Sequence, residues 1–178
     1  MLVYQFQHLG KIRDILPFLG ILSVKSDMKQ NTLLFLIKDN QILLAMKKRG
    51  FGKGFWNGVG GKPELNENIL NTAIRETKEE IGVIPKNITK VATLDFYFKN
   101  NPEWNQQVLT FFTNEWEGEP VESEEMKPQW FDLNKIPFES MWPDDIFWLP
   151  LVLSGKKIKA EFTFDDNNII LDKKINES

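Results

Sequence analysis

The stretch "GKPELNENILNTAIRETKEEIGV", Gly61 to Val83, decides both the fold and the chemistry this chain can carry. At about 100° per residue, Leu70, Ile74, Thr77 and Ile81 fall on one side of a helix and Glu76, Glu79 and Glu80 roughly opposite. The pattern predicts a helix from Asn66 to Gly82, with Asn66 near the cap, Glu67 in the first turn and Gly82 as the stop. Carboxylates spaced i, i+3 and i+4 crowd one patch and repel, which destabilises the helix unless a positive charge offsets them. A hard divalent cation does so naturally, because magnesium favours carboxylate and carbonyl oxygens and retains waters. An acidic helix face taken alone is more often solvated surface. Here it has ordered company: Gly61, then Glu67, then Arg75-Glu76, Glu79-Glu80 and Gly82.

With that spacing the chain resembles the Nudix hydrolase family, whose box runs Gly, five residues, Glu, seven residues, Arg-Glu, an aliphatic, any residue, Glu-Glu, any residue, Gly and an aliphatic. Every named position fits except the aliphatic after Arg-Glu, where Thr77 stands on the packing side of the helix. The resemblance implies an α/β (α+β) fold, an α/β/α sandwich around a central mixed β-sheet. It also implies that Glu76, Glu79 and Glu80 bind magnesium, or manganese in its place, with the Gly60 carbonyl as a further ligand. Arg75 and Glu67 would form an ion pair that orients the acids, which suits the rigid fork of a guanidinium. Glu125, in "ESEEM", matches another acid of the metal site. The general base stays open between Glu80 and Glu125. The implied reaction is hydrolysis of a diphosphate linkage to another group.

The flanks, "MKKRGFGKGFWNGVGGK" and "PVESEEMKPQWF" with "IPFESMWPDD", resemble the branch of the family acting on oxidised purine nucleoside triphosphates such as 8-oxo-dGTP and 2-hydroxy-dATP. That likeness runs from about Asn31 to nearly the C-terminus. It implies a base pocket lined by Thr32, Phe51, Asn57, Phe96, Phe98, Trp142, Asp144 and Asp145, with Lys47 on its phosphate side. Trp142 has a large flat face for a purine, and Asn57 offers donor and acceptor to a base edge. The loop "KNNPEWNQQ" carries one extra residue, which leaves open which side chain faces the base from the strand after it; Gln106 is one candidate. Other substrates of a Nudix hydrolase (methylated purine nucleotides, ADP-ribose, dinucleoside polyphosphates) form a second reading. A non-catalytic nucleotide-binding protein is a third, disfavoured because all the box acids are present.

"SMWPDDIFWLP", Ser140 to Pro150, sets two carboxylates among aromatic residues. In the simplest account Pro143 opens a short helix and one Asp caps it. In the functional account two adjacent carboxylates in an aromatic pocket do not both ionise easily, so one holds a proton near neutrality and the pair can donate as well as accept. Such a pair could read a purine in more than one tautomeric form.

The rest of the chain sets bounds. At 178 residues, 42% hydrophobic and 26% charged, it suits one globular domain. Two strand runs around Asp39-Asn40 form a hairpin; "VATLDFYF" and "QVLTFFTNEW" form a second pair, "PQWFDL" a further strand, and "KIKAEFTF" with "IILDKKI" a last hairpin. A net charge of −3 gives no bulk attraction to a nucleic-acid polymer or an anionic membrane. With no cysteine and His8 as its only histidine, the chain lacks thiolate chemistry, cysteine-bound metals and a Ser-His-Asp site. Residues 1–28 are expected to be an extension, since the run from Ile15 to Val24 is interrupted by Pro17 and too short to span a bilayer; residues 29–178 form the domain. The expected state is a monomer in the cytoplasm, with mitochondrion and nucleus also open, and the expected partner is a purine nucleoside triphosphate.

Overall fold

The computed structural model describes residues 28–178, so the expectations for the N-terminal extension and His8 lie outside the described residues. β1 (Lys29–Lys38) and β2 (Gln41–Lys47) form the expected hairpin, turning at Asp39, which takes a positive φ of 54°. After β3 (Trp56–Asn57) and a glycine-rich loop comes α1 (Ile69–Ile81). β4 (Ile84–Lys86), β5 (Thr89–Phe98), β6 (Gln106–Thr113), β7 (Glu115–Glu117) and β8 (Met126–Asp132) follow, then α2 (Asp145–Leu153) and the hairpin of β9 (Ile158–Phe164) and β10 (Ile170–Glu177). The main sheet runs β10-β9-β5-β6-β1-β2-β3, with β8 also on β2. It is mixed, because β1 pairs parallel with β6 and β5 parallel with β9 while the other neighbours are antiparallel.

Strand alternation builds two cores. On β1, Leu34 and Leu36 point to a cluster holding Ala73 and Ile81 of α1, while Phe35 points the other way to Trp148, Leu149 and Val152 of α2. The result is the expected layering of helix, sheet and helix. Trp148, at 0% exposure, anchors the second layer, and burying such a side chain contributes about 3 kcal/mol.

Three boundaries differ from the sequence expectation. Helix α1 begins at Ile69 and is capped by Asn68, whose side chain accepts from the Asn71 N–H at 2.9 Å. Asn66 instead takes a left-handed φ of 64°, and Glu67 precedes the helix. Leu70 is exposed, with Thr72 and Ala73 buried in its stead, because the packed stripe is rotated. The run through Trp116 is broken after Thr113, whose hydroxyl accepts from the Glu115 N–H at 3.1 Å and bonds the Lys86 carbonyl; β7 therefore leaves β6 and pairs with β4. At the helix end Gly82 is as expected, with φ of 77° and its N–H on Lys78 O.

Thr77, the departure from the box pattern, is fully buried and donates to the Ala73 carbonyl at 2.7 Å. Its hydroxyl is satisfied by a helix carbonyl that already has a partner, and such back-bonding adds little to a helix. Thr77→Val is expected to hold stability or raise it by about 0.5 kcal/mol. Urea unfolding checks this, and a loss above about 1 kcal/mol would show that the hydroxyl is required.

Candidate active site

Arg75 organises the acidic end of the site. Its Nε and Nη2 hold both oxygens of Glu67 at 3.0 and 2.9 Å, its Nη1 donates to Glu76 and Glu79 at 3.0 Å each, and Nη2 also donates to Lys62 O at 3.0 Å. The arginine keeps Glu67 ionised, holding its carboxyl down at about 2, helped by the Glu64 N–H. Glu76 is pulled the opposite way, because burial raises it more than Arg75 lowers it.

Glu80 is different from its neighbours on the helix. Only 7% exposed and beyond the reach of Arg75, it accepts one bond from the Gly60 N–H at 3.0 Å. Burial pushes its carboxyl up to about 7, against the pull of that N–H and of Lys47. Glu125 lies near enough to raise Glu80 further, yet its own side chain is half-exposed and held by Arg49. Among the described residues no three acids converge at metal-holding distance. The donor chemistry still fits a hard cation: Glu76, Glu79, Glu80 and Glu125 are oxygen donors whose mutual repulsion raises Glu76 and Glu80.

The acidic helix is joined to the binding cavity by two glycines. A Cβ on Gly60 would stand 2.2 Å from the Thr32 carbonyl oxygen, and one on Gly61 would stand 2.4 Å from the Glu76 carboxyl carbon. Thr32 locks the same turn, its N–H donating to Gly61 O at 2.8 Å and its hydroxyl accepting from the Gly61 N–H at 3.2 Å. Beyond the glycines lies a cavity of about 260 Å³. Its lining includes each residue expected to bind substrate: Thr32, Lys47, Phe51, Asn57, Phe96, Phe98, Trp142, Asp144 and Asp145, and Gly60 as well.

Asp144 stands at the N-cap position of α2 and Asp145 in its first turn, as the simpler account of "MWPDD" expects, but neither side chain makes a cap hydrogen bond. Asp144 accepts from the Trp148 indole Nε1 at 3.0 Å, and Asp145 accepts from the Trp142 N–H at 3.0 Å. Both are buried, at 3% and 2% exposure. Burial raises both carboxyls, and the Asp144 charge raises Asp145 further, so the pair resists carrying two negative charges. Trp148 could have been found from its i+4 spacing to Asp144.

Trp142 is not a bare platform. Phe55 stacks on it at 4.9 Å and Phe51 at 5.1 Å, and Phe51, 64% exposed, reaches on to Trp104. The aromatic surface offered to a ligand is therefore composite. Phe55 was not singled out in the sequence, where nothing distinguishes it from a loop aromatic. Asn31 also lines the cavity unforeseen, and Gln106 lines it as one of the residues the extra loop position left open.

A NUDIX domain model matches residues 28–152. The chain belongs to the Nudix family. It is 44% identical over 146 residues to the oxidized purine nucleoside triphosphate hydrolase of Danio rerio, covering 82% of this chain and 93% of that protein. The protein of the same name in Mus musculus matches with the same identity and coverage. Among solved structures, the mutator MutT protein from Bacillus halodurans superposes with a TM-score of 0.74 at 25% identity, covering 84% of this chain and 98% of that one. Nudix hydrolases generally use divalent metal ions, which agrees with the oxygen-rich set on α1. Among the described residues no helix is long and apolar enough to cross a membrane.

Glu80 supplies a test with a clear sign. Its folded-state pKa lies above the usual carboxylate value, so its contribution to stability is fully present below about pH 4.5 and is lost as pH rises through about 7. Glu80→Gln keeps an acceptor for the Gly60 N–H without the buried charge. Without metal it is expected to be more stable than the parent by about 2 kcal/mol at pH 8 and equal to it at pH 4.5. Thermal melts in chelator at the two pH values decide this; a variant less stable at pH 8 contradicts it.

Proposed function

We propose that this protein hydrolyses oxidised purine nucleoside triphosphates, 8-oxo-dGTP and 2-hydroxy-dATP among them, to the monophosphate and pyrophosphate, and so clears damaged nucleotides before they enter DNA. The observation that carries the reading is the buried Asp144–Asp145 pair facing a purine-sized aromatic cavity, with the acidic helix joined to that cavity through Gly60 and Gly61. The names of the fish and mouse relatives support the same substrate class.

In this reading the aromatic wall of Trp142, Phe51 and Phe55 holds the base flat, excluding water from its faces. Asn57 and the aspartate pair meet its edge, the shared proton letting the pair donate to one base and accept from another. Lys47, on the cavity wall, faces the phosphates. Glu76, Glu79, Glu80, Glu125 and the Gly60 carbonyl would hold magnesium, or manganese in its place, which when bound screens the polyphosphate charge and lowers the pKa of a coordinated water. Glu80 and Glu125 are the two candidates to take the proton of the attacking water. Water adds to phosphorus as the bond to the departing phosphate oxygen breaks, so each turnover consumes one water and releases one monophosphate and one pyrophosphate. Arg75 and Glu67 hold the acids in place and exchange no proton.

The reading is tested by pyrophosphate release from 8-oxo-dGTP, 2-hydroxy-dATP, dGTP and dATP with magnesium. The oxidised nucleotides are expected to turn over faster; equal or better turnover of dGTP overturns the specificity. Glu80→Gln is expected to lower hydrolysis by orders of magnitude with nucleotide binding largely kept, and a near-normal rate would remove Glu80 from the proton transfer.

The aspartates make a separate prediction. Each of Asp144→Asn and Asp145→Asn fixes one side of the pair as a permanent amide, so the ratio of 8-oxo-dGTP to 2-hydroxy-dATP hydrolysis is expected to shift by about tenfold, in opposite senses for the two variants. An unchanged ratio in both would mean that the shared proton does not read the base.

A further inference from the structure

β1 and β6 place a second polar group in the cavity wall, apart from the aspartates of α2. The Asn31 side-chain amide donates to Oε1 of Gln106, and both residues line the cavity. They lie on the same sheet face as Phe96 and Val108, with Gln106 directly across from Phe96 and Asn31 directly across from Val108. Among the described residues neither side chain hydrogen-bonds any other group. Whichever way round the two amides are set, one carbonyl and one NH2 remain unused in a mostly apolar wall, at 9% exposure for Asn31. These groups are open to the cavity and not sealed in the protein, since among the described residues the buried side-chain polar atoms without a hydrogen-bond partner are Asp95 Oδ2 and Thr110 Oγ1, so a ligand can meet them.

The contrast lies on the opposite face of the same two strands. There Gln30 donates to Gln107 and Gln107 passes its own donor to Asp95 at 2.8 Å, a chain that closes on protein groups. The Asn31–Gln106 pair has no such continuation; its remaining capacity faces the cavity.

We propose that Asn31 and Gln106 form a second base-reading group, which recognises the five-membered-ring edge of purines oxidised at C8. This rests on the nucleotide reading above. An ordinary purine presents N7 at that edge as a bare acceptor next to an apolar C8–H. Oxidation at C8 puts a carbonyl there and a proton on N7, so the edge becomes a donor beside an acceptor. An amide carbonyl beside an amide NH2 is the complement of that pattern and a mismatch for the unoxidised edge. The aspartate pair then takes the six-membered-ring edge, where the extra hydroxyl of 2-hydroxyadenine sits. Recognition is divided between two walls of one cavity, each responsive to a different lesion.

Two variants of one residue test the assignment. Gln106→Met fills the same space without polar atoms; Gln106→Glu keeps an oxygen for the Asn31 amide but replaces the free NH2 with a second oxygen. Each is expected to lower the ratio of kcat/KM for 8-oxo-dGTP to that for dGTP, and to that for 2-hydroxy-dATP, by about tenfold or more, since the mismatch to the unoxidised edge is lost along with the match to the oxidised one. Binding of the product 8-oxo-dGMP, measured by calorimetry on metal-free protein with unaltered melting, is expected to weaken by the same factor, and dGMP binding to hold. Equal losses on all three triphosphates, or an undiminished preference for 8-oxo-dGTP, overturn the assignment. The parent enzyme on the same panel separates the two levels: a parent with no activity on oxidised purines removes the nucleotide reading and this inference together. A parent that prefers 8-oxo-dGTP, with variants that keep the preference, removes only the role of the amides.

Discussion

Every donor of one guanidinium is in use in the acidic site. Arg75 has five N–H groups, and they go to Glu67 twice, to Glu76, to Glu79 and to the Lys62 carbonyl. Three carboxylates and the loop before α1 are thereby held by a single rigid plane, an arrangement a lysine could not reproduce with one compact charge. The rest of the site depends on this. With Glu67 locked ahead of the helix, Glu76 held against Gly61 and Glu79 tied to the outer side, Glu80 is the helix acid that Arg75 does not touch, and burial dominates its proton affinity. The helix thus carries two kinds of acid, those oriented by the single charge of Arg75, which three carboxylates share, and one that Arg75 does not reach.

The box made the helix and its acids legible because each depends on spacing, and spacing is visible in a sequence. The layering followed as well, since Leu34, Phe35 and Leu36 alternate as a strand buried on both faces must. The misplaced helix start has a local cause: Asn66, Glu67 and Asn68 are all acceptable near a cap, and the choice fell to Asn68 because Glu67 is pulled out of the helix by Arg75 and accepts from the Glu64 N–H. The split of β6 from β7 turned on a single threonine hydroxyl bonding across to β4, a long-range contact that no window of sequence displays.

The aspartates were only half legible. Their crowding, and the raised proton affinity it implies, could be read from two adjacent acids among aromatic residues, but their partners could not. What the structure adds is that neither carboxylate makes a cap hydrogen bond: one accepts from the Trp148 indole and the other from the Trp142 N–H. Each fixes one tryptophan relative to the cavity, Trp148 in the core layer and Trp142 in the aromatic wall. The same groups that would read a base therefore also set the wall the base would lie against. Replacing either acid should be expected to disturb geometry as well as hydrogen bonding, which is why a ratio of two substrates is more informative than either rate.

The cavity and the acidic helix belong to different layers, and the segment Gly60–Gly61 links them. At Gly60 the backbone passes so close to the Thr32 carbonyl that no side chain can be accommodated, and at Gly61 a side chain would have to displace the carboxyl end of Glu76. Thr32 contributes both its backbone N–H and its hydroxyl to this junction while also lining the cavity. The separation between the base-holding wall and the acids is therefore fixed by hydrogen bonds of a strand end, not by a flexible loop. A rigid separation of that kind selects ligands by length: a nucleotide whose base is seated in the cavity brings only one part of its phosphate chain to the acids. In the proposed function, base seating and the acids would in this way be linked through a single structural element, and a side chain at Gly60 would be expected to disturb both together.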